Sequence, residues 1–379
     1  MAHAAITNES GSFIDEIKRL RDLSFDADTG LYVAPSSNVL STFYICAEQL
    51  MNGDLPGASS SASTLGYDLV IFTDTNTSQV FYGLREQLDS GGNTTNGWGS
   101  YFVNPSNEVS TLIEVPHPRF DTYSYDIGSR AFSAMRAKAF LMAGAHRNAN
   151  GQGTADVAHL SNTVFHAVHQ AWNGPSAENI AWQVHGFSIS NYPGFPVWTD
   201  VVLSNGDGDI SMEVRMLDKD LFAEELVAYS YNTLATNSAL NMEVNDGVAG
   251  TNFNGLGGTQ NVQGAHSRSL GGRFVHIEIE RAVRFDATNR ISAANGIVSA
   301  GRHAAETAPA ILGISFQNAT QAVVQASQLV QSRHYELHEN LDLLSDYWLT
   351  NMSWSANSAA TNLMVTISTN SGFLRLMLK

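Results

Sequence analysis

Residues 111–145, TLIEVPHPRFDTYSYDIGSRAFSAMRAKAFLMAGA, hold the pattern that decides the fold. An apolar strand candidate, Thr111 to Val115, stops at Pro116 and Pro118. Ile127 to Ala137 then reads as a helix, and AFLMAGA (139–145) as a second apolar strand. The alternation continues downstream. Helix Asn162 to Trp172 precedes strand IAWQVHGF (180–187), and VVLSNG (201–206) is another short strand. A helix from Lys219 to Tyr231 and a glycine-rich loop from Gly247 to Gly264 then lead to strand RFVHIEIER (273–281). Strands and helices in this order predict an α/β domain with a largely parallel or mixed central sheet.

Upstream, SGSFIDEIKRLRD (10–22) places Phe13, Ile14, Ile17 and Leu20 at helical spacing behind a serine cap. A second apolar segment, Leu40 to Met51, is followed by GASSSAST (57–64), which reads as flexible. YDLVIFTD (67–74) and SQVFYGLRE (78–86) read as a β-hairpin, with a further strand at Tyr101 to Asn104. Beyond about Ala304 the chain offers helical candidates and a hairpin turning at Asn370 to Gly372, but no readable motif. The expected division is residues 1–303, with a core of about 110–303, and an extension at 304–379.

The chain has 379 residues, 43% hydrophobic and 15% charged, so a large core is expected and disorder is not. Its net charge of −16 argues against nonspecific binding to nucleic acid or anionic membrane, both of which need positive charge. No apolar run is long enough for a transmembrane segment, and MAHAAITNESGSF lacks the basic and apolar regions of a signal peptide. Cys46 is the only cysteine, so any transition metal must be held by histidine and carboxylate.

Four elements carry candidate chemistry. EVPHPRFD (114–121) ends a strand in a tight, exposed loop where His117 and Asp121 could ligate one ion; a solvated turn with a capping aspartate is the plainer alternative. GAHRN (144–148) and DVAH (156–159) follow the next strand, and Arg147 offers a fork for a carboxylate. WQVHGF (182–187) ends a strand in His185. In RFVHIEIER, alternation puts His276, Glu278 and Glu280 on one face, which is costly in a buried strand and ordinary in a surface edge strand. His166 and His169 read as surface or structural residues. No nucleophile elbow, phosphate-binding loop or dinucleotide fingerprint occurs.

In order, EVPHPRFD, DVAH, WQVHGF, DVVLSNGDG and GGRFVHIEIER resemble N-formylglutamate amidohydrolases and, more remotely, zinc carboxypeptidases and aspartoacylases, over about residues 110–285. The resemblance implies a three-layer α/β/α fold with a central mixed sheet, here with an N-terminal β-hairpin elaboration and a C-terminal extension. It implies zinc held by His117, His185 and Asp121, with Glu114 as the competing carboxylate, and Glu278 as general base. Arg147, Arg268, His159 and Arg119 are the implied substrate-binding residues. The implied reaction is cleavage of an amide bond in a small acyl-amino acid or peptide-like substrate. A noncatalytic binding or surface protein retaining a hydrolase-like core is the alternative. The chain departs from the amidohydrolase pattern at Ala158 and His159, where asparagine and arginine are expected, and it lacks the close His-x-x-Glu pair of carboxypeptidases.

Overall fold

A computed structural model describes residues 6–174, 179–207, 211–230 and 254–306, and the strands of a second unit beyond them. The chain divides into two compact units, Met1–Gly301 and Arg302–Lys379.

The first unit begins with strand β1 (Thr7–Gly11) and helices α1 (Phe13–Asp22), α2 (Ser37–Met51) and α3 (Leu55–Thr64). Strands β2 (Tyr67–Asp74), β3 (Val80–Glu86), β4 (Ser100–Val103) and β5 (Val109–Val115) follow, then α4 (Ser124–Met135) and β6 (Ala137–Met142). Next come α5 (Val164–Asn173), β7 (Ile180–Phe187), β8 (Val201–Ser204), α6 (Met212–Ala223) and β9 (Ala228–Ser230). The unit closes with α7 (Val262–Ser269), β10 (Arg273–Glu280), α8 (Arg281–Phe285) and α9 (Ala287–Glu306).

The ten strands form one mixed sheet in the order β1-β2-β3-β4-β6-β5-β7-β10-β8-β9. Its centre, β6-β5-β7-β10, is parallel. The expected hairpin β2-β3 does form, and it pairs through β4 into this same sheet.

Helices cover both faces, as the alternation of side chains along the strands requires. On one face Phe13 of α1 packs with Phe72, Phe81, Phe102, Phe132 and Phe140, drawn from three strands, α4 and β6. On the other, Phe43 of α2 and Trp172 of α5 meet Tyr67 and Tyr101. The fold is therefore α/β in three layers.

Three local expectations change. GASSSAST is not a flexible linker but most of α3: Asp54 caps it by accepting from Gly57 N–H, and Ala58 and Ala62 are small enough to bury against the sheet side. The helix expected at Lys219 to Tyr231 lies earlier, at α6. Ser211 caps its start, Glu225 has a left-handed backbone (φ 63°) just past its end, and 228–230 pair with β8 instead. Strand β10 is no edge strand; it lies between β7 and β8, and Phe274 through Glu280 are buried.

The second unit consists, among its described residues, of the end of α9 and six strands: β11 (Ala310–Asn318), β12 (Gln321–Ser327), β13 (His334–Asn340), β14 (Leu349–Ser355), β15 (Ala360–Thr366) and β16 (Phe373–Leu378). They form two antiparallel sheets, β11-β12-β15 and β14-β13-β16. The helical candidates expected beyond Ala304 give way to these strands, in which the strand-favouring residues Val and Thr recur. The turn expected at Asn370 to Gly372 lies outside the described residues. The strands flanking it do not form a hairpin, because β15 pairs with β12 and β16 with β13.

Candidate metal centre

The parallel centre of the sheet brings the carboxyl ends of β5, β7 and β10 together, and this is where α/β sheets collect ligands. Just past β5, Asp121 N–H donates to the His117 carbonyl at 2.7 Å, and Ser124 N–H donates to the Asp121 carbonyl at 2.9 Å. This turn folds back over the sheet, so both side chains are buried and the segment is not an exposed, solvated loop. Tyr123, next in line, takes a left-handed backbone (φ 72°) as the chain enters α4. Arg290 stacks 4.3 Å above its ring.

Strand pairing sets the rest. Glu114 of β5 lies opposite Gln183 of β7, and Gln183 opposite His276 of β10. One step on, His185 lies opposite Glu278. These residues share a sheet face by the period of two.

Five buried side chains converge. Asp121 Oδ2 lies 3.4 Å from His117 Nδ1 and 3.6 Å from His185 Nδ1. His117, Asp121 and His185 each offer a ligand atom within 4.8 Å of the others, and so do His185, His276 and Glu278. Asp121 Oδ2, His276 Nδ1 and Glu278 Oε2 are buried without a hydrogen-bond partner. Orphaned polar atoms are individually costly, and a cation held by either group of three would offset part of that cost.

The far sides of the His117 and His185 imidazoles are engaged. Nε2 of His117 meets Asp156 Oδ1 at 2.8 Å, and Nε2 of His185 meets Gln183 Oε1 at 2.6 Å. Such outer partners turn the remaining ring nitrogen toward a metal. Asp156 also holds His159 Nδ1 at 3.0 Å and the Arg147 guanidinium.

Burial opposes charge on His117, but Asp121 and Asp156 outweigh it and raise its pKa to about 9. Burial likewise works against the Asp121 and Asp156 carboxylates, yet their histidine contacts hold both pKa values below the usual range. Burial, reinforced by the nearby Asp121 charge, pushes Glu278 well above the ordinary carboxylate range. His276 is held well below its ordinary value by burial and by His185 beside it. The pocket thus favours one positive charge between Asp121 and Asp156.

A cleft of about 550 Å³ opens over the cluster, walled by Phe120, Arg147, His159, Tyr192, Leu256 and Arg281. Gly258 passes so close that a β-carbon there would lie 2.8 Å from the His276 ring, and its φ of 63° lies in the left-handed region that favours glycine.

His117, Asp121, His185 and Glu278 are therefore brought together, and Arg147 and His159 stand at the cleft wall. Glu114 is fully buried one layer away, bound by His169 Nδ1 at 2.6 Å and Gln183 Nε2 at 2.9 Å. His169 is structural and not superficial. Arg268 donates to the Asn205 carbonyl, and Arg119 to the Ser24 carbonyl and Asp26; neither lines the cleft. Three members had no role assigned from sequence: Asp156, Gln183 and His276, the last noted only as sharing a strand face with Glu278. The alternation that marks Glu278 also marks His276, whereas no spacing pairs Asp156 with a histidine 39 residues earlier.

Comparison with protein families, curated proteins and solved structures finds no match.

Proposed function

We propose that this chain is a zinc-dependent hydrolase that cleaves an amide bond in a small acyl-amino acid or peptide-like substrate. The observation that supports it is the convergence of His117 Nδ1, His185 Nδ1 and the orphaned Asp121 Oδ2, with a further orphaned carboxylate, Glu278, beside them. Two imidazoles and a carboxylate suit zinc, which when bound lowers the pKa of water and polarises a carbonyl.

The protein's own residues supply the rest. Glu278, held opposite His185, takes the proton from the attacking water at Oε2 and delivers it to the departing amine. Arg147 and His159, steadied by Asp156, and Arg281 present positive or donor groups to a substrate carboxylate or a developing oxyanion. The cleft volume is that of a small-molecule site.

Metal analysis of protein purified without chelator, followed by a screen of N-acyl amino acids, peptides and poly-glutamate, tests this. The expected result is near one zinc per chain, lost in His117→Ala and His185→Ala. Protein that neither carries nor binds metal would overturn the enzyme reading in favour of a noncatalytic binding protein.

A further inference from the structure

Behind the cluster runs a buried chain of amides whose orientation is set by two backbone atoms. Asn261 caps α7, its Oδ1 accepting from Gly264 N–H at 2.9 Å. A backbone N–H only donates, so the group Asn261 turns toward Gln183 is its NH₂. That NH₂ donates to Gln183, which must therefore present Oε1 there. A second anchor is independent. The Val157 carbonyl only accepts, and Gln263 Nε2 donates to it at 2.9 Å, which leaves Gln263 Oε1 facing Gln183 Nε2 at 3.3 Å. Both anchors give Gln183 the same orientation, with Nε2 also donating to Glu114 Oε2 at 2.9 Å.

His185 Nε2 lies 2.6 Å from that same Gln183 Oε1, an acceptor, and so must carry the proton. Its lone pair is left on Nδ1, the nitrogen that faces Asp121. We infer that Asn261, Gln183 and Glu114 are positioning residues that lock His185 as its Nε2–H tautomer and aim Nδ1 into the cluster. Glu114 is thus placed to act through Gln183, from outside the ligand set.

Stoichiometry follows. Because His185 Nε2 is committed to Gln183, Nδ1 is its one ligand atom, and the two ligand groups that share His185 are alternatives for a single ion. The tautomer lock stands on hydrogen bonding alone; its use in binding zinc rests on the hydrolase reading.

The experiment is ¹⁵N NMR of the His185 ring in metal-free protein at pH 8, paired with zinc titration, on wild type, Asn261→Asp and Gln183→Leu. Asn261→Asp keeps an oxygen for the Gly264 cap, so the fold is retained, but it sets a carboxylate against Gln183 Oε1 while Glu114 and Gln263 still hold Nε2. Wild type should show the Nε2–H signature. Gln183→Leu removes the acceptor and should lose the preference for Nε2–H, Asn261→Asp should weaken it, and both variants should bind zinc 10- to 100-fold more weakly. An Nδ1–H tautomer in wild type, or Gln183→Leu with unchanged tautomer and zinc affinity, overturns the inference. If the tautomer behaves as stated but wild type binds no zinc, the lock stands and the hydrolase reading falls. Two zinc ions per wild-type chain would overturn the single-ion conclusion.

Discussion

Glu278 and His185 face each other directly across the parallel strands β10 and β7, on the same side of the sheet. That pairing places an unpartnered carboxylate oxygen next to an imidazole whose outer nitrogen is already engaged. The two residues are 93 positions apart in the chain and owe their proximity to register alone.

Glu278→Gln should keep the metal and lose hydrolysis. The amide preserves the shape of the side chain but cannot take a proton, so kcat should fall by about 10²- to 10⁴-fold. Zinc content by elemental analysis, measured beside turnover, checks it; near-normal turnover would remove Glu278 from the mechanism.

Asp156→Asn should weaken the site without touching the metal directly. Asp156 binds His117, His159 and Arg147 at once. Losing its charge loosens the His117 ring and frees Arg147, so zinc affinity should drop about 10- to 100-fold. Competition with a chromophoric chelator measures the change, and an affinity equal to wild type would contradict the role.

Gly258→Ala should disturb the cleft. The added methyl meets the His276 ring and the backbone must hold a φ of 63° that alanine resists. A destabilisation of about 1–3 kcal/mol is expected, read as a lower denaturation midpoint, with weaker zinc binding alongside.

Asp218, on α6, gives a pH dependence remote from the cluster. Burial pushes its pKa to about 7, and its Oδ1 has no hydrogen-bond partner. The folded state therefore binds this proton more tightly than the unfolded state, whose carboxyl titrates near 4. Its contribution to stability is full below about pH 4 and is lost as pH rises through 7, by a few kcal/mol at most, roughly. Asp218→Asn should flatten the profile; urea midpoints at pH 5 and pH 8 show whether the difference between them shrinks.

The strand and helix order of the first unit is legible in the sequence because each segment's apolar spacing has its own period. TLIEV, AFLM and IAWQV read as strands, and the helical stripe of Phe13, Ile17 and Leu20 as α1, since burial acts on each segment locally. The same reasoning marked His117, Asp121, His185 and Glu278, each at or near the end of an apolar strand. It failed where small or mixed residues carry no clear period, as in α3 and in the second unit, where helical candidates stood in place of strands before the terminal segment that read as a hairpin.

What the sequence by itself determined is therefore the class of fold, the restriction of any metal site to histidine and carboxylate in a chain with one cysteine, and a short set of chemically able residues. Which of these meet was decided by tertiary structure. Strand order brought β5, β7 and β10 side by side. Register set Glu278 against His185, and burial turned EVPHPRFD from a surface turn into a cluster wall. Glu114 moved out of the candidate ligands and behind Gln183 for the same reason. Hydrogen-bond polarity among buried amides depends on neighbours up to 106 residues apart in sequence, and no local pattern encodes it.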